Sequence, residues 1–429
     1  MDKSVKIACW ILQMTIGVLY KMKRFYQRPN FPRYILLLCC VIQAIQLTSA
    51  GCSHTKPYYH PEISDIERRE SETEGVLRYR LLLLGDGGTP RPDEPVLKTL
   101  GEWAQKDAAK TSIVFLGDNM YPEGMTARKK HEAATRLTPQ LTVVKDAGAH
   151  GLFIPGNHDW ASGKSEGYSA LLAQEKFIND ALGGEQNFLP SGGSPGPVVL
   201  ELPKVNPVVR LIVLDTQWWL HEHEKPEKSP ETVIEELIAL LDTELPVIVL
   251  GHHPLQSYGP HGGYFDWKAH LFPTRALGEW LWIPIPIIGS VHPYARKYFY
   301  KFDQDIGSAP YNNLVVQLNR AFSTRKPPPE GTSLLIYAAG HEHSLQVLKG
   351  DSVDYLLVSG AAASRKVTGV LSGDNTLFAH QHTGFMTVDF FSDGKILLRV
   401  VEPDGKSVLF HRWLTLNSAQ DSTTRPDTK

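Results

Sequence analysis

The 429-residue chain is 42% hydrophobic, 21% charged and 10% aromatic, a composition that excludes a collagen-like, disordered or polytopic membrane protein. Its net charge of −2 is uneven: residues 1–51 hold seven Lys/Arg and one acid, so the remaining 37 basic and 45 acidic residues give the body −8. A body of that sign lacks the basic face that tracks nucleic-acid backbones, and no stable nucleic-acid binding is expected. The four cysteines, Cys9, Cys39, Cys40 and Cys52, all lie in the first 52 residues. The body beyond them offers no thiol for a disulfide, a thiolate metal site or a nucleophile.

Lys21, Lys23, Arg24, Arg28 and Arg33 precede an apolar run from Tyr34 to Leu47, followed by Thr48-Ser49-Ala50-Gly51-Cys52. A basic region, a short apolar core and a small-residue exit predict an export signal over residues 1–52. The run of 14 falls short of the roughly 20 residues of a membrane span. Small residues ending at a Cys are similar to a bacterial lipoprotein signal, in which that Cys is lipidated, although Ser49 stands where such signals usually carry Leu. The alternative is an uncleaved signal anchor. Both readings place the body outside the cytoplasm, periplasmic or at the cell surface and tethered to a membrane. An earlier apolar stretch, Ile7–Tyr20, leaves Met22 as an alternative start. Residues 53–75 read as a polar tether, 76–415 as the body, and 416–429 as a polar, disordered tail.

Within the body one pattern occurs five times. Strand-length apolar runs at Arg78–Leu84, Ile113–Leu116, Leu152–Pro155, Val247–Leu250 and Leu334–Ala339 each end in a Gly and then a residue able to bind a metal. These residues are Asp86, Asp118, Asn157 (with His158), His252 (with His253) and His341-x-His343. Helical segments are predicted at Glu94–Ala109, Ala127–Ala147, Ser165–Leu182 and Pro230–Leu241, the last with Ser229 at its N-cap. Alternating strands and helices predict an α/β fold, in which sites gather beyond the carboxyl ends of strands. One such unit is explained by helix capping; five ending in oxygen or imidazole donors are not.

Asp86-Gly87-Gly88, Gly117-Asp118-Asn119-Met120-Tyr121, Gly156-Asn157-His158-Asp159, Val249-Leu250-Gly251-His252 and Gly340-His341-Glu342-His343 resemble, in this order, the motifs of the calcineurin-like metallophosphoesterases. More narrowly they resemble the purple acid phosphatases of the tartrate-resistant type, over about residues 78–413. Most of that superfamily has Asp-x-His in the first motif; here Gly88 replaces the His, and Tyr121 follows Asp118 by three residues, the mark of the purple branch. The resemblance implies a four-layer αββα sandwich of two mixed sheets carrying a dinuclear metal site. One ion would be held by Asp86, Tyr121, His343 and the bridging Asp118, the other by Asn157, His252, His341 and the same Asp118. The first set, rich in anionic oxygen, suits Fe(III); the second suits divalent Fe, Zn or Mn. Which His serves which ion rests on the resemblance alone.

The implied chemistry is hydrolysis of phosphate monoesters by a hydroxide held at the two ions, with a His protonating the leaving alkoxide. His158 and His261 match the family's substrate-contacting residues and are the expected phosphate binders and general acid. Asn157 and His253 also stand among the substrate-binding candidates, His253 as the lesser one, and Asp159 is expected to orient His158. A phosphodiesterase or nucleotidase on the same site, and a non-catalytic metal-binding surface lipoprotein, are the alternatives.

His221-x-His223 reads as a surface loop, Asp215 as structural, and His380 and His382 as loop residues. An insertion over about 262–330, with Trp267, Trp280, Trp282 and a helix near Tyr311–Phe322, is expected to form a satellite core; a lid or a membrane-dipping surface is the alternative. Phe385–Phe391, Lys395–Val401 and Ser407–Trp413, with turns at Asp393-Gly394 and Asp404-Gly405, predict a meander closing the second sheet.

Overall fold

Four consecutive leucines end the first long strand, and alternate members face opposite layers: Leu81 and Leu83 turn one way, Leu82 and Leu84 the other. A strand apolar on both faces must be covered on both, and the whole architecture follows from that requirement. The structure is a computed structural model and describes residues 52–63, 75–276, 282–285, 288–299, 301–325, 334–363, 367–403 and 408–414. The export signal, the Asp404-Gly405 turn and the C-terminal tail lie outside the described residues.

In chain order the strands are β1 (Tyr58–Tyr59), β2 (Leu77–Leu84), β3 (Thr111–Phe115), β4 (His150–Phe153), β5 (Val198–Leu202), β6 (Val209–Val213), β7 (Val247–Leu250), β8 (Leu335–Ala339), β9 (Leu345–Lys349), β10 (Tyr355–Ser359), β11 (Thr376–His380), β12 (Phe385–Phe391), β13 (Ile396–Val401) and β14 (Val408–Leu414). The helices are α1 (Pro95–Gln105), α2 (Lys130–Ala147), α3 (Gly167–Leu182), α4 (Pro230–Leu240), α5 (Trp267–Leu271), α6 (Val291–Tyr298) and α7 (Ala309–Ser323). The α4 cap is as predicted, Ser229 Oγ accepting the Thr232 N–H at 3.1 Å.

Two mixed sheets form, ordered β14-β13-β12-β2-β3-β4 and β1-β11-β9-β10-β8-β7-β6-β5. Leu81, Leu83, Val114 and Leu152 of the first pack against Leu211, Val213, Ile248 and Ile336 of the second, making the inner core. On the outer face of the six-stranded sheet, Leu82, Leu84, Ile113 and Phe115 meet Leu100 and Trp103 of α1, Leu137 and Leu141 of α2, and Leu171 and Ile178 of α3. On the outer face of the eight-stranded sheet, Ile212, Val249 and Tyr337 meet Val233 and Leu237 of α4 and Leu314 and Leu318 of α7. The result is a four-layer αββα sandwich. Each fully buried Leu or Ile in these layers contributes about 1.5–3 kcal/mol.

Three expectations are corrected. The β12–β13–β14 meander extends the six-stranded sheet that holds β2, β3 and β4, because β12 pairs antiparallel with β2. The tether is not free from residue 53: β1 pairs with β11, Ser53 Oγ accepts the Val370 N–H at 2.9 Å, and the His54 N–H donates to Val370 O at 2.9 Å. An edge strand of two residues leaves no hydrophobic alternation in the sequence to announce it. The insertion divides: α7 joins the main body against the eight-stranded sheet, whereas residues 267–294 cluster as a separate small unit with their own ring contacts, Phe272 to Trp282 among them at 5.2 Å. No described helix is long and apolar enough to cross a membrane.

Candidate functional site

The parallel strands β2, β3 and β4 end side by side, as do β7 and β8 in the other sheet. The residues following those five ends meet one another. Asp86, Asp118 and His341 each take positive φ (64°, 52° and 66°), so the chain reverses at once and aims these side chains inward. Gly117 has φ 87°, and a Cβ there would stand 2.5 Å from His252 Nδ1; only glycine lets the two sheets' loops approach so closely. Gly88 explains the absent first-motif histidine, since its Cβ would lie 2.6 Å from the backbone N of Met120. The space belongs instead to the segment that delivers Tyr121.

Two groups of donors form, and Asp118 lies between them. In one, Tyr121 Oη donates to Asp86 Oδ1 at 2.9 Å and lies 3.0 Å from His343 Nε2, which is itself 3.3 Å from Asp86 Oδ1. In the other, His252 Nε2 is 3.1 Å from Asn157 Oδ1, 3.3 Å from His341 Nδ1 and 3.4 Å from Asp118 Oδ1. The outward nitrogens of both imidazoles are committed: His252 Nδ1–H donates to Leu116 O at 2.8 Å, and His341 Nε2–H to Gln304 O at 2.9 Å. That fixes the tautomers and leaves one bare nitrogen on each ring facing the other across 3.3 Å. Two bare imidazole nitrogens beside buried carboxylates fit a cation. Groups able to hold one are His252 with His253 and His341, and Asp86 with Asp118 and His252.

The electrostatics agree with that fit. Burial, then the Asp118 and Asp86 charges, push the Tyr121 phenol well above its ordinary value, so without a cation it stays protonated. Burial alone would raise Asp118; electrostatic attraction to the His252 and His158 rings and the His158 N–H bond outweigh it and lower the carboxyl. For His343, burial lowers and the Asp86 hydrogen bond raises, with the net shift upward. The open face is lined by His158, His261 and His343, whose side chains are 28%, 27% and 16% exposed, while Asp86, Asp118 and His252 are buried.

Of the expected substrate contacts, His158 and His261 both stand at this rim. His158 Nδ1–H donates to Pro122 O, and the ring lies 4.4 Å from that of Tyr121. His261 stacks on His341 at 4.2 Å, with Nδ1 3.3 Å from Asp305 Oδ1. His253 does not face the opening: it is buried, with Thr216 Oγ1 on Nδ1 and Gln304 Oε1 on Nε2, both at 2.7 Å. Its ring packs against that of His341 at 4.5 Å.

Asp159 is likewise corrected. Its carboxylate accepts from the Gly156, Asn119 and Met120 N–H groups and from Gln174, and makes no bond to His158. It fastens the loops after β3 and β4 together; burial and then the Asp118 charge raise it to about 7. His221 is no surface residue either: it is buried 4.7 Å from the Trp160 ring, and burial lowers it to about 4. Asp215 is structural, accepting Trp160 Nε1–H at 2.7 Å. His380 ends β11 and, with His382, faces Glu402 away from the donor cluster.

Four contributors escaped sequence reasoning. Glu342 accepts Ser257 Oγ–H, the His261 N–H and Thr368 Oγ1–H, and so pins the His261 loop beneath the site. Its place between two histidines of one motif was the available signal. Gln304, Asp305 and Arg296 come from the insertion and carry no local pattern. Arg296 Nε donates to Asp305 Oδ2 at 2.9 Å; against the upward pull of burial, Arg296 and His261 hold the Asp305 carboxyl at about 2.

Residues 79–280 match the family described as calcineurin-like phosphoesterase, a stretch just under half of the chain. No curated protein matches the chain in sequence. Solved structures that resemble it include GAP50, the anchor in the inner membrane complex of Plasmodium, at 16% identity and a TM-score of 0.47, over 79% of this chain and 89% of that one. Purple acid phosphatase PPD1 from yellow lupin (Lupinus luteus) seeds aligns at 13% identity and 0.46, over 79% and 53%. A dimetal phosphatase from Danio rerio aligns at 12% and 0.41, over 79% and 99%. Likenesses of this strength say nothing about substrate.

Proposed function

We propose that this site hydrolyses phosphate monoesters, in the manner of an acid phosphatase, with Fe(III) beside Asp86, Tyr121 and His343 and a divalent ion beside Asn157, His252 and His341. The observation that carries the reading is the division of six donors into two sets of three on either side of Asp118. Such a pair of ions, when bound, supplies an activated water and charge for the phosphate oxygens. A phenol among hard anionic oxygens favours the trivalent ion on that side.

The protein's own groups do the rest. His158, held through Nδ1 by Pro122 O, places Nε2 3.9 Å from Asp118 Oδ2, where the doubly protonated ring would donate to a phosphate oxygen. His261, held through Nδ1 by Asp305, keeps Nε2 free to hand a proton to the departing alkoxide. Stacking on His341 holds that ring at a fixed distance from the donors.

The test uses the metal-loaded full chain. Turnover of nitrophenyl phosphate should exceed that of bis-nitrophenyl phosphate, and a visible tyrosinate-to-Fe(III) band should vanish in Tyr121→Phe. The reverse preference would make the enzyme a phosphodiesterase or nucleotidase. A colourless, fully active protein would remove the iron. For His261→Ala, alkyl phosphates should slow by about 100-fold and nitrophenyl phosphate by much less; equal slowing would remove the general-acid role.

A further inference from the structure

Between Arg296 and Phe302 the sequence reads Arg-Lys-Tyr-Phe-Tyr-Lys-Phe, three basic and four aromatic residues with no acid. A segment of this kind inside a protein would pack its rings. Here Phe299 is 88% exposed, the most exposed large hydrophobic side chain among the described residues, and Tyr298 beside it is also exposed. The cations lie against rings: Arg296 is 4.9 Å from the Phe302 ring, and Lys297 is 4.9 Å from the Tyr264 ring. The loop then runs directly to Gln304 and Asp305, which hold His341, His253 and His261. An exposed aromatic tip and the rim of the site therefore belong to one short loop.

The start of the described chain borders the same region. The Thr368 N–H donates to His343 O at 2.9 Å, and two residues on Val370 is bonded to Ser53 and His54. A Cβ on Gly369 would lie 3.2 Å from Ser53 Oγ and 3.6 Å from Asp266 Oδ2, and the neighbouring Phe265 ring lies 5.5 Å from the Arg296 guanidinium. A chain of contacts thus links Ser53 with the rim of the site and, through Phe265, with Arg296.

We propose that Lys297–Phe299 at the end of α6, with Lys301 and Phe302 beyond it, rests on the surface of an anionic phospholipid bilayer. Aromatic side chains favour the headgroup boundary, and lysines beside them add attraction to anionic lipid. The remaining body, acidic overall, would be turned away from such a surface. The site mouth would then open at headgroup level. The proposal holds whether or not the site hydrolyses phosphate esters.

The photo-crosslinking residue p-benzoylphenylalanine replaces Phe299 in the full chain and, as a control, Val205, which is 76% exposed in the β5–β6 turn. Both proteins are irradiated with vesicles of equal phosphatidylcholine and phosphatidylglycerol, and lipid adducts are read by mass spectrometry. Aromatic replacement at an exposed position leaves folding unaffected, and no turnover is needed. Lipid adducts are expected at 299 and to be about tenfold fewer at 205. Adding Lys297→Glu and Lys301→Glu should lower the yield at 299 about tenfold. Equal yields at both positions, or no lipid adduct at 299, would overturn the proposal. So would crosslinked dimers at 299, which would identify a second copy as the occupant.

Discussion

Asp118→Asn is expected to empty both metal positions together and to lower phosphate-ester turnover by roughly a thousandfold or more. The Asp118 carboxylate lies between the two donor groups: Oδ1 is 3.4 Å from His252 Nε2, and its charge is among those acting on His343 and Tyr121. Asparagine keeps the shape, tolerates the positive φ of 52°, and retains an oxygen for the His158 N–H that Asp118 Oδ1 accepts at 2.9 Å. The fold should therefore survive while the shared negative charge is lost. Metal content and turnover are measured on the same preparation. A variant that keeps one tightly bound ion would show that the carboxylate is not shared.

The largest expected effect on stability lies away from the site. Asp389 on β12 stands directly opposite Arg80 on β2, fully buried, and accepts from Arg80 Nε at 2.9 Å, Arg80 Nη2 at 2.7 Å and Arg399 Nη1 at 2.6 Å. Both guanidinium groups also lie near the Trp103 ring, at 5.3 Å and 5.9 Å. Asp389→Ala removes the buried anion that the two guanidinium groups share and leaves Asp107, 3.8 Å from Arg80 Nη1, as a more exposed counter-ion, which costs about 3–5 kcal/mol. Thermal unfolding should move down by roughly 5 °C. Replacing Arg80, Asp389 and Arg399 together by apolar residues should restore most of that loss, because the desolvation penalty disappears with the charges. A single variant that melts with the parent protein would show that water reaches the cluster.

The contrast between these two sites explains what the sequence could and could not reveal. Asp86, Asp118, Asn157, His252 and His341 are legible because each follows a buried strand and a Gly, so position along the chain fixes position in the sandwich. Tyr121 is legible only through the residue that Gly88 displaces. Asp305 and Gln304 reach the site from a loop that has neither strand nor helix periodicity, and their partners lie 37 to 51 residues away. Asp389 reads as a polar interruption of a strand until its cross-strand neighbour is known. His253 and Asp159 had the right neighbours in sequence but the wrong facing: one is sealed behind His341, and the other is turned toward backbone N–H groups.

The central claim is that seven side chains from five strand ends and one loop enclose two cations that share Asp118. Anomalous scattering from crystals of the metal-loaded protein tests it most directly. The account predicts two peaks about 3.5–4 Å apart, one touching Tyr121 and the other His252, with the Asp118 carboxylate between them. A single peak, or two peaks of which one does not touch Asp118, would contradict it.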